Sequence, residues 1–182
     1  MPVKTFGSAV YGVEAINITV EVNITSGQKY FIVGLPDNAV KESMLRIESA
    51  ITSSNLRMPR QKIVVNMAPA DIRKEGSAYD LTIAAGILAA SGQIPEEELS
   101  QYIIMGELSL DGGLQPIKGA LSIAIKAKEE GFKGFILPIQ NVKEAAIVEG
   151  LDVYGIENVL QVIDFFEGNG TIEPTIIDTK EE

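Results

Sequence analysis

Between Arg73 and Leu88 the chain reads RKEGSAYDLTIAAGIL. A charged loop, a glycine and a serine lead into an apolar run, the pattern of a hydroxyl set at the mouth of a helix. Ser77 has two readings there. As a nucleophile it needs a base, and the chain contains no histidine and no cysteine. That removes the Ser-His-Asp triad, cysteine chemistry and both thiolate and imidazole metal sites. The remaining base is a lysine that has lost its proton through burial. Lys74 lies in the same loop and Lys118 at the start of a later helix, but nothing in the sequence brings either to Ser77. As a structural residue, Ser77 has capping-box spacing to Asp80. Its oxygen would accept from the amide of residue 80 and the aspartate would reach back to that of Ser77. Such a cap contributes ~1 kcal/mol, and the carboxylate suits the positive helix end. The cap accounts for Gly76, Ser77 and Asp80 together, and it is the reading we adopt.

Other constellations are weaker. Glu107 and Asp111, in GELSLDGG, could pair as acid and base or hold magnesium, although acids flanking a turn are commonly just solvated. Arg57, Arg60, Lys62, Arg73 and Lys74 form a loose basic surface for a polyanion or an acidic partner, interrupted by Asp71 and Glu75. GSAVYG, at 7–12, has P-loop-like glycine spacing but is followed by Val13 and Glu14 instead of Lys and Ser/Thr. The chain therefore has no Walker-type nucleotide loop.

The elements that must position these residues follow from periodicity. INITVEVNI, from Ile16, alternates as a half-buried strand, and KYFIVGL after TSGQ reads as its antiparallel partner. A helix begins near Pro36–Asp37 with the stripe Val40, Met44, Ile47, Ile51, and Glu42 stands four residues before Arg46 as an ion-pair partner. QKIVVNMA reads as a strand buried on both faces. The helix at Ala78 to Ser91 ends at Gly92. YIIMGELSL is a strand, and DGG turns it into a hairpin with LQPI. Then come a helix from about Gly119 to Glu130, the strand GFILP, the helix NVKEAAIVEG, the strand LDVYGI and a last helix with Val159, Ile163 and Phe166 inward. This order predicts an α+β fold, a mixed sheet with packed helices, as one domain over 1–168 with 169–182 as a linker or tail.

The chain has 182 residues and a net charge of −10, opposite to what duplex DNA binding favours. No apolar run spans a membrane and MPVKTFGSAVYG has no signal-peptide core, so a cytoplasmic location is the default expectation.

Three blocks, FIVGLPDNAVKESMLRIESAI, VVNMAPADIRKEGSAYDLTIAAGILAA and GELSLDGGLQPIKGALSIAIKAKEEG, resemble the N-terminal domain of the YifB/ComM family of magnesium-chelatase-like AAA+ ATPases. The resemblance runs from about residue 4 to 168. It implies a fold like the Lon proteolytic domain, in the superfamily of the second domain of ribosomal protein S-five. It also implies an ATPase module elsewhere in the polypeptide that takes ATP and magnesium, with no cofactor or metal in this stretch. The partners implied are that module, further copies in a hexameric ring, and DNA engaged through the whole protein during branch migration in natural transformation. No membrane partner is implied.

Set against the Lon motif K-D-G-P-S-A-G, the run from Lys74 to Asp80 puts the nucleophile position on Ala78 and the preceding proline on Ser77. The Lon lysine lies fifteen residues after the glycine of G-E-x-x-L, which from Gly106 is Leu121. The resemblance thus implies a lost dyad, Ala78 and Leu121, facing each other across a pocket. Ser77 with Lys118 or Lys74 is one alternative, a peptidase with a shifted pair; a stand-alone binding module with no ATPase partner is the other. Lys118 precedes Leu121 by about one turn, roughly 5 Å along the helix, so a non-catalytic domain is the expectation.

Overall fold

The computed structural model describes residues 2–70, 72, 74, 76–169 and 172–177. Among these residues nine strands fall into a seven-stranded mixed sheet, in the order β3-β4-β2-β1-β5-β8-β9, and a two-stranded β6-β7 hairpin. This is the expected α+β architecture.

The first hairpin is the longest ladder among the described residues. β1 (Val3–Tyr11) pairs antiparallel with β2 (Glu14–Thr25) along its whole length. Gly12, at φ +62°, occupies the first central position of the two-residue turn, where a type II′ hairpin requires a positive φ. β1 is absent from the sequence-based reading because Gly7, Ser8 and Ala9 dilute its apolar alternation.

Three strand expectations need correction. β3 (Tyr30–Val33) does not pair with β2; β4 (Lys62–Ala68) lies between them, antiparallel to β2 over seven residues and parallel to β3 over four. The longer ladder wins the place beside β2. β4 is also not buried on both faces, since Ile63, Val65 and Met67 point inward and alternate with half-buried neighbours. The stretch expected as one strand from Tyr102 breaks at Met105–Gly106 into β5 (Tyr102–Ile104), in the main sheet, and β6 (Glu107–Leu108), which pairs with β7 (Leu114–Gln115) as the DGG turn predicts.

α1 (Asp37–Ser53) packs on α2 (Asp80–Ala90), which lies against β1 and β2. Every residue of α2 from Asp80 to Ala89 is buried. Its close approach to the sheet depends on Gly86, where a Cβ would meet Val22 Cγ2 at 2.6 Å. α3 (Ala120–Glu129) covers β1, β2 and β8 (Gly134–Pro138). α4 (Val142–Ala145) is a single turn, shorter than expected. β9 (Asp152–Ile156) is the sheet edge, and α5 (Val159–Glu167) sets Phe165 and Phe166 edge-on against Tyr102, with Phe165 also beside Tyr154. Beyond α5 the chain returns to the sheet: Ile172 packs on the core and the Thr175 amide donates to the Val153 carbonyl at 2.7 Å. No helix among the described residues is long and apolar enough to cross a membrane.

α5 carries a side-chain N-cap, Asn158, whose Oδ1 accepts from the Gln161 amide at 3.1 Å. Asn158→Ala should lower stability by about 1 kcal/mol. For a domain of this size that is a fall of about 2–4 °C in Tm, readable by calorimetry and reversed by Asn158→Ser.

Candidate functional site

The segment around Ser77 folds differently from the capping box. Gly76–Tyr79 forms a 3-10 turn, α2 starts at Asp80, and no side chain caps it. Asp80 is fully buried and its carboxylate faces inward. Oδ2 accepts from Arg46 Nε at 2.6 Å and from the Leu108 amide at 3.1 Å. Oδ1 accepts from Ser43 Oγ at 3.0 Å and Arg46 Nη2 at 3.1 Å. Four donors from α1 and β6 are stronger partners than one local amide, so the acid goes to them. Arg46 accordingly turns to Asp80 and not to Glu42. Burial pushes the Asp80 carboxyl above its usual range, against the opposing pull of Arg46, Leu108 and Ser43, and the same contact raises Arg46. The cluster is a structural lock across α1, α2 and β6.

The cavity beside this turn encloses about 390 Å³. Ser8 to Tyr11 of β1 form one wall, Ala78 and Tyr79 another, and Met105, Lys118 and Ile123 complete it. The Tyr79 hydroxyl donates to the Ser8 carbonyl at 3.2 Å, and Ser8 Oγ donates to the Ile16 carbonyl at 3.3 Å. Gly119 follows Lys118 and, in the left-handed conformation (φ +76°), starts α3 hard against Val10, whose Cγ2 would lie 2.8 Å from an added Cβ.

Ala78 thus lines the cavity, as does Lys118, but Leu121 does not. The expectation that positions 78 and 121 face each other is corrected by helix geometry. Ile123 points into the cavity, and Leu121, two residues earlier, is turned by about 200° from it. Leu121 is half-buried, with its amide donating to Glu144 Oε1 at 3.3 Å. Ser77 is half-buried and is not among the lining residues, so this cavity does not unite it with Lys118. Lys74 is buried, with Nζ donating to the carbonyls of Ile72 at 2.9 Å and Gly34 at 3.2 Å. Those bonds anchor the loop to the turn after β3.

The basic surface is likewise divided. Arg57 and Arg60 are exposed around a second recess of about 500 Å³, where Gln93 bonds both the amide and the carbonyl of Arg57. Lys62 lies over the Phe31 ring at 5.5 Å and Lys74 is inside the fold. Arg73 lies outside the described residues, as do Asp71 and Glu75. Asp111 is a turn residue, its Oδ1 accepting from the Gly113 amide at 2.9 Å. Among the described residues no group of three or more acidic side chains could hold a metal ion. Sequence reasoning missed the cavity's β1 wall because it missed β1; the glycine at the first position of a two-residue turn was the available signal.

A family model described as subunit ChlI of Mg-chelatase matches residues 20–141. The competence protein ComM of Haemophilus influenzae is 38% identical over 164 residues, which is 90% of this chain and 32% of that protein. The uncharacterized protein YifB of Escherichia coli is 41% identical over 166 residues, 91% of this chain and 33% of that protein. Lon protease 2 of Bacillus subtilis is 26% identical over 177 residues, 87% of this chain and 32% of that protein. The chain spans about a third of the length of the curated relatives it matches.

Proposed function

We propose, from the premise that this chain belongs to the Mg-chelatase subunit ChlI family, that it is a non-catalytic N-terminal scaffold domain of a ComM/YifB-type AAA+ ATPase. The observation that carries this reading is Ala78. The Lon-like motif places the attacking oxygen at that position, and a methyl group stands there on the cavity wall. A methyl cannot attack a carbonyl. Lys118 does reach the same cavity, but as an exposed residue, whereas a lysine base needs burial to lose its proton. The parent protein would act in the cytoplasm as a hexameric ring that moves DNA branch points, with ATP and magnesium bound in its ATPase module. Among the described residues no acidic cluster could hold magnesium, and no glycine loop is followed by the Lys and Ser/Thr of a Walker motif. The domain would order the ring by packing beside its copies or the ATPase module, with any DNA contact confined to Arg57 and Arg60.

A fluorophosphonate probe tests the chemistry, because Lys118 lining a cavity with Ser8 keeps a serine–lysine hydrolase as the rival. The expected result is no adduct on Ser8 or Ser77 by mass spectrometry, beside a labelled Lon control. A stoichiometric adduct on either serine overturns the non-catalytic reading. The assembly role is read by light scattering on the full-length parent with ATP. Removing residues 1–168 should convert rings into smaller species, and an unchanged ring would refute it.

A further inference from the structure

The cavity's β1 wall is an unfinished strand edge. The type II′ turn makes Tyr11 and Glu14 the closing bonded pair. Odd-numbered residues of β1 therefore exchange bonds with β2, and even-numbered ones direct N–H and C=O to the opposite edge. On that edge Phe6 is opposite Ile103 of β5. β5 then turns away, and the Met105 amide goes to Ile136 of β8. At Ser8 two side chains substitute for a strand: its amide donates to Met105 Sδ at 3.4 Å and its carbonyl accepts from Tyr79. Val10 is next. It too lines the cavity, and its outward amide and carbonyl bond nothing among the described residues.

An unpaired strand edge is a template for another strand. Here it is one residue's donor–acceptor pair, beside a cavity large enough for side chains of an incoming strand and floored by the small Ala78. Among the described residues the lining includes one cation, Lys118, and no acid. We propose that this edge captures an extended peptide, which pairs with the amide and carbonyl of Val10 and sets a carboxylate side chain against Lys118. The proposal rests on the non-catalytic reading only in that the captured peptide is held and not cut.

The test is an NMR titration of the ¹⁵N-labelled chain with acetyl-TVEVT-amide. Two companions are the same peptide with Gln for Glu and a version N-methylated at its three central amides. The Val10 amide should move downfield and saturate. The Gln peptide should bind about 2- to 5-fold more weakly, the range of one exposed ion pair, and the N-methylated one should leave Val10 unmoved. In Lys118→Glu, an exposed change with the rest of the spectrum as a fold check, the preference for Glu should vanish or reverse. Ala78→Leu should fill the cavity and abolish the shift. The proposal is overturned if Val10 stays fixed at millimolar peptide, or if the N-methylated peptide moves it equally. It is also overturned if Val10 shifts with protein concentration alone, since the occupant is then a second copy. Cleavage of the peptide, read by mass spectrometry of the same samples, would refute the non-catalytic reading and leave the docking result standing.

Discussion

Replacing Arg46 by alanine should destabilise the domain by about 3–5 kcal/mol, the usual cost of stripping one partner from a buried ion pair. Asp80 is fully buried, and the guanidinium supplies two of the four bonds to its carboxylate. Without Arg46 the Leu108 amide and the Ser43 hydroxyl remain, both neutral donors facing an enclosed negative charge. Urea unfolding reads this as a lower midpoint at unchanged slope. Glu42→Ala, on the exposed side of α1, should stay within about 0.5 kcal/mol of the parent. Removing both charges at once, Arg46→Met with Asp80→Leu, should recover much of the loss, because the desolvation penalty disappears with the pair. A single Arg46→Ala variant as stable as the parent would show that the carboxylate does not depend on it.

Gly86→Val should be the most damaging conservative change in α2. Helix propensity alone favours filling a mid-helix glycine, by up to ~1 kcal/mol for alanine. Packing opposes it: the first added carbon falls 2.6 Å from Val22 Cγ2, with Thr5 Oγ1 at 3.6 Å. Val22 is fully buried in the sheet, where a close-packed interior resists displacement. Overpacking costs roughly 1–3 kcal/mol, and valine's two further methyls take it to the upper end, so the steric term wins. Trimming the opposing side chain in Gly86→Val/Val22→Ala should return more than half of the lost stability. Additive losses in the double variant would place the strain elsewhere.

How far the sequence announces this structure depends on which residues carry the signal. α1, the DGG hairpin, β8, β9 and the stop at Gly92 are legible because a period or a turn residue marks each locally. β1 is hidden by the small residues that make it useful: Gly7 lies where a Cβ would press on Met105 Sδ at 3.0 Å and on Tyr79 at 3.2 Å. The insertion of β4 between β2 and β3 is a non-local contest between ladders, which no window of sequence reports. At the site, Ala78 on the cavity wall follows from motif spacing alone. The fate of Asp80 does not, since its partners lie 37, 34 and 28 residues away in the chain. That Leu121 does not line the cavity was not legible, because motif spacing from Gly106 gives a position in the chain and not the face of α3 that carries it.

The return of the chain to β9 has a mechanical corollary. With Ile172 packed against the core and the Thr175 amide bonded to Val153, residues 172–177 are moored on the edge strand β9 instead of trailing from α5. A pull applied at Ile177 would load the sheet rim before it could swing α5 loose.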